Sequence, residues 1–311
     1  MIYLNETPFK MTRFPDGTCG KFDFNPFNIH NWDNWKIDWR YESDEELVEL
    51  MYLVNHIRQN FGNKDIFLYL YYIPNARMDR TKNKQKEIFT LKYFCDFINS
   101  LKFDEVFVLD PHSDVSVALL NNVVVKEDLL NILINKTLSN VFYIEQEKPI
   151  IYFPDAGAVK RYSFLGCFKN YEYIYGVKTR DWSTGKINGI EICNKNGYKI
   201  ENTISVDCET KGVGGDMPIE NTVITSPISN RVILMVDDIV SYGGTLSYSA
   251  DKLKEYGVGN IYAYATHAEN SVIDEEKSSL LKNFKNKTVK MLFTSNSIFN
   301  KESEFVKTIK I

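Results

Sequence analysis

Asp237 and Asp238 are adjacent carboxylates at the end of an apolar run, and Gly243-Gly244-Thr245 follows within one short turn. Ionised carboxylates accept hydrogen bonds, and two neighbouring hydroxyls, such as a ribose 2,3-diol, are the donors such a pair could take up. The two glycines let backbone amides close on an anion near a helix N-terminus, where the macrodipole also favours negative charge. Together these residues read as a sugar-phosphate site. An Asp-Asp pair on its own reads more readily as a surface turn with two solvated acids; the apolar Val232 to Val236 before it and Gly243-Gly244-Thr245 after it reverse that preference.

Other candidate groups stand after further apolar runs. Ile66 to Tyr72 leads into Pro74-Asn75-Ala76-Arg77-Met78-Asp79-Arg80, where two guanidinium groups could each grip a phosphate bidentately. Glu105 to Leu109 leads into Asp110-Pro111-His112-Ser113, and His112 could serve a nucleotide or a metal. Pro149 to Phe153 leads into Pro154-Asp155-Ala156-Gly157, with Lys160 and Arg161 beyond. Each alone has a plainer reading: a solvated turn, a hydrogen-bonded histidine, the start of a helix. As a set they supply phosphate-binding cations, a metal ligand and a ribose-binding acid pair where an open α/β sheet binds ligands, outside the carboxyl ends of its strands.

The elements that must position these groups follow from periodicity. Val232 to Val236 predicts a buried strand that delivers the acid pair into the glycine turn, and Leu246 to Tyr256 predicts the helix after it. Trp35, Ile37 and Trp39 alternate with polar residues as one buried strand face does. Ser43 and Glu46 have capping-box spacing and predict a helix to about Asn60, with Leu47, Leu50, Met51 and Val54 on its apolar face. Further strands are expected at Tyr171 to Val177 and Asn260 to Tyr264, so strands alternate with helices and the class is α/β with largely parallel sheets. The polar turn Glu145 to Lys148 divides the chain into 1–147 and 148–311. Ile187 to Asn230 reads as an inserted lid or a surface loop, with a hairpin-like turn at Asn194 to Gly197 and a glycine-rich stretch from Lys211 to Asp216.

Composition narrows the partners. A chain of 311 residues, 44% hydrophobic and 25% charged, is an ordinary two-domain size. Its formal charge of −4 gives no general field for nucleic acid or an acidic membrane, so small-molecule substrates are expected. Cys19, Cys95, Cys167, Cys193 and Cys208 include no close pair, which fits packing residues in a reducing compartment. No apolar stretch approaches the roughly 18 residues of a membrane span, and Met1 to Lys10 lacks a signal-peptide profile. The expected location is the cytoplasm.

Seven segments in order carry a family resemblance: Arg13-Phe14-Pro15-Asp16-Gly17, Arg77-Met78-Asp79-Arg80, Asp110-Pro111-His112, Pro154-Asp155-Ala156-Gly157, Lys178-Thr179-Arg180, Asp237 to Thr245, and Tyr264-Ala265-Thr266-His267. They resemble the ribose-phosphate pyrophosphokinases, also called phosphoribosyl pyrophosphate synthetases. The resemblance implies two tandem phosphoribosyltransferase-type domains, each a mainly parallel sheet flanked by helices. It also implies transfer of the β,γ-diphosphoryl group of Mg-ATP to the anomeric hydroxyl of a ribose, releasing AMP. By that resemblance His112 and Asp155 are ligands of the Mg-ATP complex or its water shell, and Phe14, Asp16, Arg77, Asp79 and His112 contact ATP. Lys178 and Arg180 are the pair that stabilises charge on the transferring group. Asp237, Asp238, Ser241, Tyr242, Gly243, Gly244 and Thr245 hold the acceptor's ribose and phosphate. A homo-oligomer is implied, because the family's ATP site borrows Phe14-like and Asp16-like residues from a neighbouring subunit.

The chain departs from the family at several positions. Ser241 and Tyr242 stand where an Asp-Thr is usual, the interval from Lys178 to Asp237 is longer than usual, Thr18 replaces a glutamate and Met78 a glutamine. A tyrosine in the phosphate loop, with a larger cover, suits an acceptor whose 5-phosphate carries more, and an adenine can stack on an aromatic face. These departures resemble a branch that makes ADP-ribose pyrophosphate for NAD synthesis, which makes ADP-ribose the leading acceptor and ribose 5-phosphate the alternative. A phosphoribosyltransferase and a non-catalytic regulatory subunit are the competing readings.

Overall fold

The computed structural model describes residues 1–22, 24, 32–62, 64–81, 83, 86–180, 187–201, 203–205, 223–225 and 227–311. The glycine-rich stretch 211–216, most of the expected lid and Cys208 lie outside the described residues. The chain divides into two compact units, one of residues 1–130 with 296–298 and 311, the other of 131–295 with 299–310.

The first unit contains β1 (Ile2–Leu4), β2 (Thr7–Phe9), β3 (Trp35–Trp39), α1 (Glu45–Asn60), β4 (Ile66–Leu70), α2 (Thr90–Ser100), β5 (Glu105–Val108), α3 (Asp114–Leu119) and β6 (Val123–Val125). Its sheet has the order β2-β1-β3-β4-β5-β6. The β3/β4, β4/β5 and β5/β6 pairs are parallel, and β1 runs antiparallel to both its neighbours. Trp35, Ile37 and Trp39 are fully buried, as their alternation predicts, and join Ile66, Leu68, Leu70, Val106 and Val108 in one core. Helix α2 adds Leu91, Phe94, Cys95 and Ile98, a spacing that lines one helical face.

Helix α1 corrects the sequence reading in two ways. Its apolar face is turned toward Leu50, Leu53, Val54 and Ile57, with Leu47 and Met51 only partly buried at the margin. No side chain caps its N-terminus. The expected capping-box carboxylate, Glu46, is instead taken up by the Trp39 indole N–H at 2.9 Å and the Glu42 backbone N–H at 2.8 Å. A buried indole donor left unpaired costs more than an exposed helix end, so the tryptophan wins the carboxylate.

The chain passes into the second unit within α4 (Glu127–Glu145), and continues with β7 (Ile150–Phe153), α5 (Ala156–Tyr162), β8 (Tyr173–Arg180), β9 (Ile187–Asn194), β10 (Thr203–Ser205), β11 (Val223–Thr225), β12 (Ile233–Val240), α6 (Gly244–Glu255), β13 (Ile261–Ala268), α7 (Ser279–Lys285), β14 (Leu292–Ser295) and β15 (Val306–Ile309). The large sheet has the order β15-β14-β13-β12-β7-β8-β9, parallel except for the β8/β9 pair; β10 and β11 form a separate antiparallel ribbon. Residues 187–194, expected in the lid, are therefore an edge strand paired with β8. The turn expected at Asn194 to Gly197 is present: Asn194 Oδ1 accepts from the N–H of Asn196 at 3.0 Å and of Tyr198 at 3.1 Å, and Gly197 has φ +84°. Cys95, Cys167 and Cys193 are buried free thiols, and Cys19 is half-buried. Among the described residues no helix is long and apolar enough to cross a membrane.

Candidate functional site

Strand β12 runs on through the acid pair to Val240, past the point where the apolar run predicts its end. The reason is pairing: Asp237 is in register with Ala265 and Ile239 with His267 on β13, so the neighbouring strand carries the ladder past the carboxylates. Asp238 is 4% exposed and Asp237 half-buried. The Asp238 backbone N–H donates to Asp237 Oδ1 at 3.0 Å, and the Arg161 guanidinium lies 2.8 Å from Asp238 Oδ1. Burial, then the charge of Asp238, raises the Asp237 carboxyl well above its ordinary value, and Asp155 adds to the shift. Asp155 ends the loop after β7 and caps α5, its Oδ1 accepting the Ala158 N–H at 3.1 Å.

The loop after β12 is held from below. The Tyr242 carbonyl accepts the Ser279 N–H at 2.9 Å and the Ser278 hydroxyl at 3.3 Å, which ties the loop to the start of α7. Gly243 has φ +75°, and a Cβ there would overlap the Leu280 side chain, so glycine is required twice over. Gly244 faces open space and opens α6, one residue pair earlier than the apolar periodicity predicts. No side chain caps α6, leaving its first-turn N–H groups as donors for an anion. Thr245 is exposed, and the Tyr242 ring is 41% exposed. Ser241 Oγ lies 3.1 Å from Ser271 Oγ, whose hydroxyl donates to Glu269 Oε2 at 3.2 Å. Ser241 is thus linked to a carboxylate on a different loop.

Lys178 and Arg180 lie on the last residues of β8, in register with Ile190 and Ile187 of β9, with an irregularity between Thr179 and Arg180. What their side chains meet lies outside the described residues.

In the first unit the candidate groups follow neighbouring parallel strands. After β4, the turn at Asn75 to Met78 closes with the Met78 N–H on the Asn75 carbonyl at 2.8 Å; it leaves Arg77 exposed and Asp79 half-buried. Arg80 Nε is 3.7 Å from Asp79 Oδ1. After β5, His112 is half-buried just before α3. Phe14 and Asp16 occupy the tip of a separate hairpin-like turn, where Phe14 is 55% exposed. The Thr18 N–H and hydroxyl donate to Asp16 at 3.0 and 2.7 Å, and these bonds lower its carboxyl pKa. Arg13 anchors the turn through Glu49 at 2.7 Å.

The second unit therefore brings Asp155, Asp237, Asp238 and the 241–245 loop to the carboxyl ends of the adjacent strands β7 and β12, and the first places Arg77, Asp79 and His112 after the carboxyl ends of the adjacent strands β4 and β5. Among the described residues no cluster of three or more metal-ligating side chains forms. Sequence reasoning missed the partners: Arg161 on Asp238, Glu269 behind Ser241, and Ser278 to Leu280 under Tyr242. Only Arg161 had a legible signal, a cation in the last turn of a short helix that begins after the β7 strand end.

Two curated proteins named ribose-phosphate pyrophosphokinase align along most of the chain. That of Buchnera aphidicola subsp. Acyrthosiphon pisum is 25% identical over 285 residues, 88% of this chain and 78% of that protein. That of Sulfurisphaera tokodaii is 25% identical over 286 residues, 92% of this chain and 82% of that protein. This chain is similar to ribose-phosphate pyrophosphokinases. The fold agrees with the likeness: the crystal structure of phosphoribosylpyrophosphate synthetase from Mycobacterium smegmatis matches with a TM-score of 0.56 at 15% identity, over 88% of this chain and 76% of that one. The expected α/β class, with two mostly parallel sheets flanked by helices, is the class observed. No family model matches the chain.

Proposed function

We propose that the chain is an ATP-dependent pyrophosphokinase that moves the β,γ-diphosphoryl group of Mg-ATP to the anomeric hydroxyl of ribose 5-phosphate, releasing AMP. The observation that carries this reading is the acid pair of β12, Asp238 buried and Asp237 half-buried, one short loop before the glycine-capped N-terminus of α6. Asp237 and Asp238 accept from the 2- and 3-hydroxyls, and the Gly243 to Thr245 amides receive the 5-phosphate. The anomeric oxygen attacks the β-phosphorus, the bond to the α,β-bridging oxygen breaks, AMP leaves with that oxygen, and the hydroxyl proton passes to solvent. Positioning and charge stabilisation supply the catalysis in such transfers.

Lys178 and Arg180 are assigned to charge on the transferring diphosphoryl group, and Arg77, Asp79, Phe14 and Asp16 to ATP. Magnesium enters as part of the Mg-ATP substrate, where it neutralises phosphate charge. Asp155 is assigned to it or to its waters, and His112 to ATP; one or two carboxylates are sufficient protein ligands for an ion that keeps several waters and takes substrate phosphates. Assembly into a homo-oligomer belongs to the same reading, with the exposed Phe14 turn as the part offered to a neighbour.

A second acceptor, ADP-ribose, is favoured by one observation: Tyr242 is 41% exposed on the loop assigned to the phosphate, and an adenine can stack on an aromatic face. On this reading the product is ADP-ribose 1-pyrophosphate, a precursor for NAD synthesis. The test offers ribose 5-phosphate and ADP-ribose separately with Mg-ATP and records AMP release and product mass. A diphosphoryl gain on ribose 5-phosphate supports the first reading, and a gain on ADP-ribose alone moves the assignment to the second. No AMP with either refutes both and leaves a phosphoribosyltransferase or a regulatory subunit.

A further inference from the structure

Neighbouring residues of a strand project to opposite faces, so strand geometry alone does not make Asp237 and Asp238 act on one diol. What fixes Asp238 comes from another element. Arg161 stands in the last turn of α5, and its guanidinium meets Asp238 Oδ1 at 2.8 Å with both side chains largely covered. Helix α5 is set in turn by Asp155, which caps it at the end of β7, the strand next to β12. The Asp238 backbone N–H donates to Asp237 Oδ1 at 3.0 Å, so both carboxylates are fixed at the same two residues of β12, Asp238 by Arg161 and Asp237 by the backbone. A covered ion pair contributes little net stability relative to apolar packing because of its desolvation cost, and in some proteins it serves to fix one geometry.

We propose that Arg161 is the positioning residue of the acceptor site: it holds the Asp238 carboxylate in the arrangement in which the acid pair takes up the acceptor's two hydroxyls. The inference rests on the reading that the acid pair binds the acceptor. Arg161 acts through the carboxylates and not on the reacting atoms, so its removal weakens the acceptor and spares ATP. Lysine keeps the charge but loses the planar fork, so it restores part of the function.

The experiment measures acceptor binding by calorimetry, with ribose 5-phosphate and ADP-ribose each alone, and the KM for ATP, for the wild type, Arg161→Met, Arg161→Lys and Asp237→Asn. Thermal melting checks each fold. Arg161→Met is expected to weaken acceptor binding about tenfold or more while the ATP KM changes less than about twofold, with Arg161→Lys between it and the wild type. Equal losses for ATP and acceptor, or a lowered melting temperature with wild-type acceptor affinity, overturn the proposal. If Arg161→Met does not fold, wild-type affinity in Arg161→Lys overturns it and an intermediate loss supports it. Asp237→Asn separates the two levels. Lost binding in Asp237→Asn beside retained binding in Arg161→Met sinks the role of Arg161 alone, whereas retained binding in Asp237→Asn sinks the acid-pair reading and the inference with it.

Discussion

The central strands of the seven-stranded sheet are covered on both faces, whereas those of the six-stranded sheet are covered mainly on one. Every residue of β7, β13 and β14 is buried, and β12 is buried up to the acid pair. In β3 and β4 buried and half-buried residues alternate. A strand enclosed on both sides cannot slip without uncovering apolar area on each, so its end is a stiff mount for side chains. The second unit puts on such a mount the groups assigned to the sugar, which need fixed geometry. The first unit carries the groups assigned to ATP on exposed turns, where Met78 is 41% exposed and Arg77 meets solvent, a setting suited to charge recognition that adapts to its ligand.

The largest effect is expected from neither mount but from the hairpin at the sheet edge. Lys178→Ala is expected to lower kcat about a hundredfold or more with an unchanged melting temperature, as loss of a preorganised charge-stabilising group does. Near-normal turnover removes Lys178 from the mechanism.

Stiffness itself is tested by two left-handed positions. Gly243→Ala combines a φ of +75° with overlap on Leu280, and should cost about 2–4 kcal/mol in urea unfolding. Asn75→Ala meets only a φ of +60° on an exposed turn of the first unit, and should cost about 1 kcal/mol. Equal costs would break the contrast between the two sheet ends.

The acid pair has a pH signature. The folded chain holds the Asp237 proton above the ordinary 3.8, chiefly because of burial, so the native state binds more protons than the unfolded one. This contribution is fully present below the ordinary value and is lost as pH rises through the raised one. The stability of Asp237→Asn relative to the wild type should therefore grow across that window; a difference that is flat with pH would show that Asp237 titrates alike in both states. The smallest effect is on choice of acceptor. Tyr242→Thr is expected to shift the ratio of kcat/KM for ADP-ribose over ribose 5-phosphate downward by about three- to tenfold, the worth of one stacked ring. An unchanged ratio would remove the stacking argument.

The sequence was most legible where local periodicity and tertiary packing agree. Trp35, Ile37 and Trp39 give their strand by alternation, and Val232 to Val236 gives the start of β12. Its end was not legible, because the register with β13 carries the strand past two carboxylates that local pattern reads as a turn. Ser43 and Glu46 misled for a similar reason: the Trp39 indole at the end of β3 claims the carboxylate that capping needs. Strand β9 was hidden inside an expected lid, since its hydrogen bonds are made to β8 and not within the segment. At the site, residue types and spacing pointed to the acid pair and the glycine loop, whereas the supports of that site, Arg161, Glu269 and Leu280, are contacts between elements.

On the proposed reaction the diphosphoryl group moves as one unit onto a ribose. Phosphorus NMR of the chain with Mg-ATP and ribose 5-phosphate, repeated with ADP-ribose, tests it most directly. The expected products are AMP and a pair of coupled resonances from a diphosphate attached at the anomeric carbon of one acceptor. ADP with a single new phosphate resonance, or ATP left intact with both acceptors, would contradict it.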